Sequence, residues 1–134
     1  MRTVFWDYDN SSTKMIDQRQ LPWEFVVAEF TDYREVARSI TEMYVRGAPA
    51  IGAAAAFGMA MAARQSTATD RLALLRDLET AAATLNAARP TAVNLAWGVR
   101  RMLRVAANEE VESVDDGRDA ILTEAQKLAD EDVE

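Results

Sequence analysis

Residues 45–63 read VRGAPAIGAAAAFGMAMAA. Proline near the start suits the first turn of a helix, where its missing N–H costs nothing. From there to about Ala63 the side chains are small or apolar on every face. A helix without a polar face belongs in the middle of a domain, so the other elements are expected to pack around this one. Gly47 and Ala48 leave the backbone bare at its mouth, and Arg46 sets a permanent charge there. Small residues alone are explained by close packing, but the arginine calls for a further reason.

Working outward toward the N-terminus, TDYREVARSITEMY (31–44) carries Tyr33, Val36, Ala37, Ile40, Met43 and Tyr44 at helical spacing. Asp32 with Glu35 three residues later forms a candidate capping box. Before it lie three β-like runs, 3–8, 13–18 and 23–30, the first two separated by the turn-forming DNSS. They predict a small antiparallel meander over residues 1–30, stable only against a helical layer over 31–134.

Toward the C-terminus, Asp70 is placed to cap a third helix with the stripe Leu72, Leu75, Leu78, Ala82 and Leu85. A fourth is expected to open at Arg89-Pro90-Thr91 and to carry Val93, Trp97, Met102 and Val105. After the turn-like NEEVESVDDG, a fifth spans roughly 119–131, with Ile121, Ala125 and Leu128 on one face. It runs into DEDVE with no Gly, Asn or Pro to stop it, which reads as a helix cut within its length. The expected class is therefore α+β, a three-stranded antiparallel sheet followed by a five-helix bundle.

The chain has 134 residues, 49% hydrophobic and 28% charged, enough for one domain with a real core. Its net charge of −7, with Lys14 and Lys127 the only lysines, argues against a nucleic-acid partner, because phosphate-backbone affinity comes from clustered cations. There is no cysteine and no histidine. Disulfides, thiolate nucleophiles, imidazole bases and ordinary zinc sites are thereby excluded within these residues. No apolar run reaches membrane-spanning length before Arg64 interrupts it, and MRTVFWDYDN carries charge too early for a signal peptide. A cytoplasmic protein with no membrane partner is expected.

Two stretches share a grammar. VRGAPAIG (45–52) and ARPTAVN (88–94) each set an arginine and a nearby proline where a helix is expected to begin. A helix N-terminus offers unpaired N–H groups and a partial positive charge, and guanidinium adds a planar fork suited to phosphate. Charge-assisted hydrogen bonds contribute about 1.5–3 kcal/mol each, so two arginines and two backbone donors would hold a phosphate monoester. The alternative is that Arg46 and Arg89 pair with carboxylates while the small residues merely permit close packing. Asp17, Gln18 and Asn94 stand between ligand contact and local structure. Trp6, Trp23 and Trp97 read as core or rim.

MRTVFWDYD, MIDQRQLPWEF, MYVRGAPAIGAAAAFGMAMAA and RPTAVNLAWGVRRM, in this order, resemble the N-terminal domain of the methylthioribose-1-phosphate isomerase family. The resemblance covers the chain from end to end. It implies aldose–ketose isomerisation of 5-methylthioribose 1-phosphate to 5-methylthioribulose 1-phosphate in methionine salvage, without metal or organic cofactor. It also implies a cytoplasmic homodimer when full length. The family's substrate-contacting RGA falls on Arg46, Gly47 and Ala48, and the arginine of its RPT motif on Arg89. Its catalytic cysteine and aspartate belong to a Rossmann-like C-terminal domain beyond Glu134, so no catalytic residue is assigned here and residues 1–134 read as the N-terminal domain ending in a shortened linker helix. Two relatives stay open beside it, a ribose-1,5-bisphosphate isomerase and a non-catalytic regulatory subunit like those of translation initiation factor two B. A third possibility is a plain helical interaction domain.

Overall fold

A computed structural model describes residues 3–19, 26–45, 47–108 and 111–131. Three strands come first: β1 (Val4–Asp7), β2 (Ser12–Ile16) and β3 (Val27–Phe30). They form an antiparallel sheet in the order β1-β2-β3, with Val4 opposite Met15 and Met15 opposite Ala28. The turn between β1 and β2 is stapled by Asp7, whose carboxylate accepts from the amides of Asp9 and Asn10. The third expected strand is shorter than its run, and Trp23 lies outside the described residues.

Five helices follow: α1 (Tyr33–Thr41), α2 (Ala48–Gln65), α3 (Arg71–Ala88), α4 (Val93–Ala107) and α5 (Val114–Glu131). The α+β class and the element order agree with the sequence reading. Helix α2 is the centre, with every residue from Ile51 to Ala63 buried. The sheet reaches it through Trp6, which is buried and stacks on Phe57 with ring centroids 5.9 Å apart.

The glycines of α2 and α4 bring these two helices unusually close. A Cβ on Gly98 would sit 2.9 Å from the Gly52 carbonyl oxygen, and one on Gly52 would sit 3.4 Å from the Asn94 carbonyl oxygen. The first two turns of both helices are therefore in backbone contact. At their other ends, arginines from neighbouring helices satisfy the last carbonyls. Arg118 of α5 donates to the Ala63 and Ser66 oxygens at 2.8 and 2.6 Å. Arg71 of α3 donates to the Ala107 and Asn108 oxygens at 2.6 and 2.8 Å. These are the orphan acceptors that every helix C-terminus leaves.

Two stripes agree with expectation only in part, Leu78, Ala82 and Leu85 in α3 and Met102 in α4 being buried as expected. In α3 the buried row is Leu74, Leu78, Ala81, Ala82 and Leu85, while Leu72 is 60% exposed. In α4 it is Leu95, Val99, Met102 and Ala106, while Val93 is 77% and Trp97 40% exposed. Leucine and alanine occupy both faces of these helices, so periodicity alone admitted two registers. Helix α5 begins at Val114, five residues early, because Ser113 caps it through the Asp116 amide. Helix α1 ends at Thr41, before the last two residues of its expected stripe.

The reason for that early end is local. The Tyr44 amide donates to the Ser39 oxygen and the Met43 amide to the Ile40 oxygen. Met43 has φ 65°, the left-handed conformation. This is a Schellman cap with methionine where glycine is usual, so no glycine marked it in the sequence. Asp32 does cap the other end of α1, but through the Arg34 amide rather than position 35.

Gly98→Ala should destabilise the chain by about 1–3 kcal/mol through overpacking against backbone, outweighing the roughly 1 kcal/mol that alanine contributes to a helix interior. Urea unfolding followed by circular dichroism measures it. Gly58→Ala, whose added Cβ would meet only the side-chain tips of Leu85 and Val36, should cost less.

Candidate anion-binding cleft

The approach of α2 to α4 leaves an open cleft of about 410 Å³ at their N-termini, lined by Met43, Gly47, Ala48, Ile51, Arg89, Ala92, Val93 and Asn94. That volume is ordinary for a small-molecule site. The two motifs, some forty residues apart in the chain, thus face one space. Gly47 and Ala48 come from one, Arg89 and Asn94 from the other.

Gly47 is the N-cap of α2 with φ 89°, a conformation that disfavours any side chain, and an added Cβ would meet nothing within 4 Å. Its glycine is needed for the backbone angle and not for space. Pro49 follows in the first turn. The amides of Ala48 and Ala50 have no intrahelical partner, as in any first turn, and no side chain among the described residues caps them. Helix α4 is alike: Ala92 is its N-cap and provides no side-chain bond. By contrast α1, α3 and α5 are capped by Asp32, Asp70 and Ser113. The two helix mouths left open to a ligand are the two that meet in the cleft.

Arg89 does not sit at a helix mouth as expected. It is the C-cap residue of α3, followed by a tight turn in which the Ala92 amide donates to its carbonyl, and α4 starts only at Val93. Pro90 therefore belongs to the turn and not to the helix. The residue before proline is disfavoured in the α region, which is why α3 stops there. Arg89 is half-buried and makes no ion pair with any carboxylate, and no acidic residue lines the cleft, among the described residues. Arg46 lies outside the described residues. Asn94 lines the cleft, half-buried, with no hydrogen-bond partner for its carboxamide among the described residues. Met43 at the rim was missed, since no glycine marks its left-handed Schellman position, and such a conformation costs on the order of 1–3 kcal/mol.

Asp17 takes the structural side of its alternative. It is 3% exposed, and its carboxylate is held by Arg19 through Nε at 2.9 Å and Nη2 at 2.8 Å. Those side-chain hydrogen bonds from Arg19 outweigh burial and hold its carboxyl below the usual carboxylate range. Trp6 is core, as expected, and Trp97 is surface.

The model of the Initiation factor 2 subunit family (IF-2B) matches residues 44–134. The chain belongs to that family. Within it, a methylthioribose-1-phosphate isomerase from Chloroflexus aurantiacus is 48% identical over 99% of this chain and 38% of its own length. A relative with the same name from Desulforamulus reducens is 42% identical over the whole chain and 38% of its own length. Two solved structures superpose with TM-scores of 0.90 over 98% of the chain. One is 5-methylthioribose 1-phosphate isomerase from Pyrococcus horikoshii OT3, at 44% identity and 36% of that chain. The other is the translation initiation factor eIF-2B, subunit delta, from A. fulgidus, at 43% identity and 37% of that chain. The chain thus spans little more than a third of these relatives. No helix among the described residues is long and apolar enough to cross a membrane.

A carboxylate with a depressed folded pKa stabilises the fold above its unfolded value near about 4 and loses that contribution as pH falls through the folded value. Asp17→Asn should therefore lower the melting temperature near neutral pH. Its deficit against wild type should shrink as pH drops below about 4. A deficit independent of pH would contradict the pairing.

Proposed function

We propose that this chain is the phosphate-anchoring part of a sugar-phosphate isomerase that converts 5-methylthioribose 1-phosphate to 5-methylthioribulose 1-phosphate. One observation carries the reading. Two helix mouths without side-chain caps and an arginine without a carboxylate partner among the described residues line one cleft, in a chain whose relatives bear that enzyme's name. Gly47, Ala48 and Arg89 would grip the phosphate, with Arg46 next to them in sequence, and Asn94 would bond a sugar or phosphate oxygen.

The chemistry explains why such an anchor matters. With phosphate esterified at C1, the ring cannot open as a free hemiacetal does, so isomerisation needs help at the ring oxygen. Moving hydrogen from C2 to C1 then takes a proton shuttle or a hydride shift. The groups that do this are assigned, by resemblance, to a region beyond Glu134. The residues described here would bind the substrate's unreactive end, shut out water, and spend that binding energy on orienting the reacting carbons. The whole protein is read as a cytoplasmic homodimer in methionine salvage, needing no metal or organic cofactor.

A second reading has support in the family's description and in the likeness to the eIF-2B delta subunit. It is a non-catalytic regulatory subunit using the same cleft as a sensor. Sequence downstream of Glu134 separates the two, since an isomerase needs a cysteine and an aspartate there.

In a protein carrying this chain with its downstream region, Arg46→Ala and Arg89→Ala should each lower kcat/KM by about 30- to 1,000-fold, the loss of one or two charge-assisted bonds worth about 2–4 kcal/mol. Wild-type kinetics in the Arg89 variant would refute the anchor. Turnover of ribose 1,5-bisphosphate alone would move the substrate to the neighbouring isomerase. The 134 residues alone should show no turnover.

A further inference from the structure

The segment after β2 is tied to the rim of the cleft by a set of bonds that touches no ligand-facing atom. The chain leaves Ile16 through Asp17, Gln18 and Arg19. Asp17, almost wholly buried, spends its carboxylate among the described residues on Arg19, accepting from Nε, Nη2 and the Arg19 amide at 2.9, 2.8 and 3.0 Å. That grip lays the guanidinium over the Tyr44 ring, 3.9 Å from its centroid, and turns Nη1 toward Glu42 at 3.4 Å. The Gln18 amide donates to the Tyr44 carbonyl at 2.8 Å. Both neighbours of Met43 are thus held from the β2 side, and Val45 beyond them is fully buried. Met43, in its left-handed conformation, and Gly47, at φ 89°, are the first two cleft residues in chain order among the described residues.

We infer that Asp17 and Arg19 are positioning residues: their pair, seated on Tyr44 and Glu42, sets where Met43 stands at the rim of the cleft, so that the α2 amides and Arg89 reach one anion. The inference rests on the phosphate reading above. A bidentate carboxylate–guanidinium pair stacked on an aromatic face fixes orientation as well as distance, which lysine cannot reproduce. Neither residue lines the cleft, so both act through the loop alone.

The test uses the 134-residue chain, with the amide resonances of Ala48, Ala50 and Asn94 followed on titration with inorganic phosphate at 25 °C and a thermal melt alongside. Arg19→Met should weaken phosphate three- to tenfold while the chain remains folded, and Arg19→Lys should fall between it and wild type. Arg118→Met, which unties a similarly bonded arginine from the far end of α2, should lower the melting temperature and leave phosphate affinity alone. Wild-type affinity in Arg19→Met overturns the inference. If that variant does not fold, wild-type affinity in Arg19→Lys overturns it instead. Absence of phosphate shifts in the wild-type chain defeats the phosphate reading, and the inference with it. Shifts that weaken in Arg89→Ala but persist unchanged in both Arg19 variants defeat only the inference.

Discussion

Backbone touches backbone where α2 crosses α4, and the rest of the architecture follows from that contact. Only glycine at 98 permits it, because any Cβ there would press on the Gly52 carbonyl. Two helices that meet in their first turns bring their N-termini together, and with them two sets of unpaired amides. Positive ends placed side by side repel, so the arrangement is costly unless an anion or water shares them. The opposite ends of the same helices are satisfied by Arg118 and Arg71, drawn from α5 and α3. Each of the two helices is thus held by its neighbours at the C-terminus and left open at the N-terminus.

That asymmetry gives a chain of net charge −7 a local site of opposite sign. Several other arginines are committed. Arg101 bridges α4 to α5 through Glu124 and Glu131, Arg34 returns to Asp32, and Arg19 to Asp17. Among the described residues Arg89 stands in the cleft without such a partner, beside a carboxamide that also lacks one. Unpaired cations on a surface are common, and this one is distinguished by what surrounds it: two open helix mouths and a strained rim.

The strain at Met43 belongs to the same picture. A Schellman cap with methionine in the left-handed position is less stable than one with glycine, and the bonds from Gln18 and Arg19 hold its neighbours in place. The sheet therefore does more than cover one face of α2. Trp6 anchors it to Phe57, and its second strand leads into the segment bonded to Glu42 and Tyr44, on either side of Met43.

Much of this was legible in the residues. An all-apolar stretch at 50–63 can only be a central helix, Asp70 before a leucine-rich run can only begin one, and alternation around DNSS marks a hairpin. These are local consequences of side-chain polarity and capping chemistry, and they held. VRGAP and RPTAVN also pointed to Gly47, Ala48 and Arg89 as residues of one kind. Three things needed the folded chain. The buried registers of α3 and α4 were ambiguous because apolar residues occupy both faces, so packing chose Leu74 over Leu72 and Leu95 over Val93. Arg89 reaches the cleft from the end of α3 rather than the start of α4, since the residue before proline closes one helix without opening the next. The meeting of the two motifs depends on a glycine-to-backbone approach between residues 46 positions apart, and no spacing along the chain encodes a distance across it.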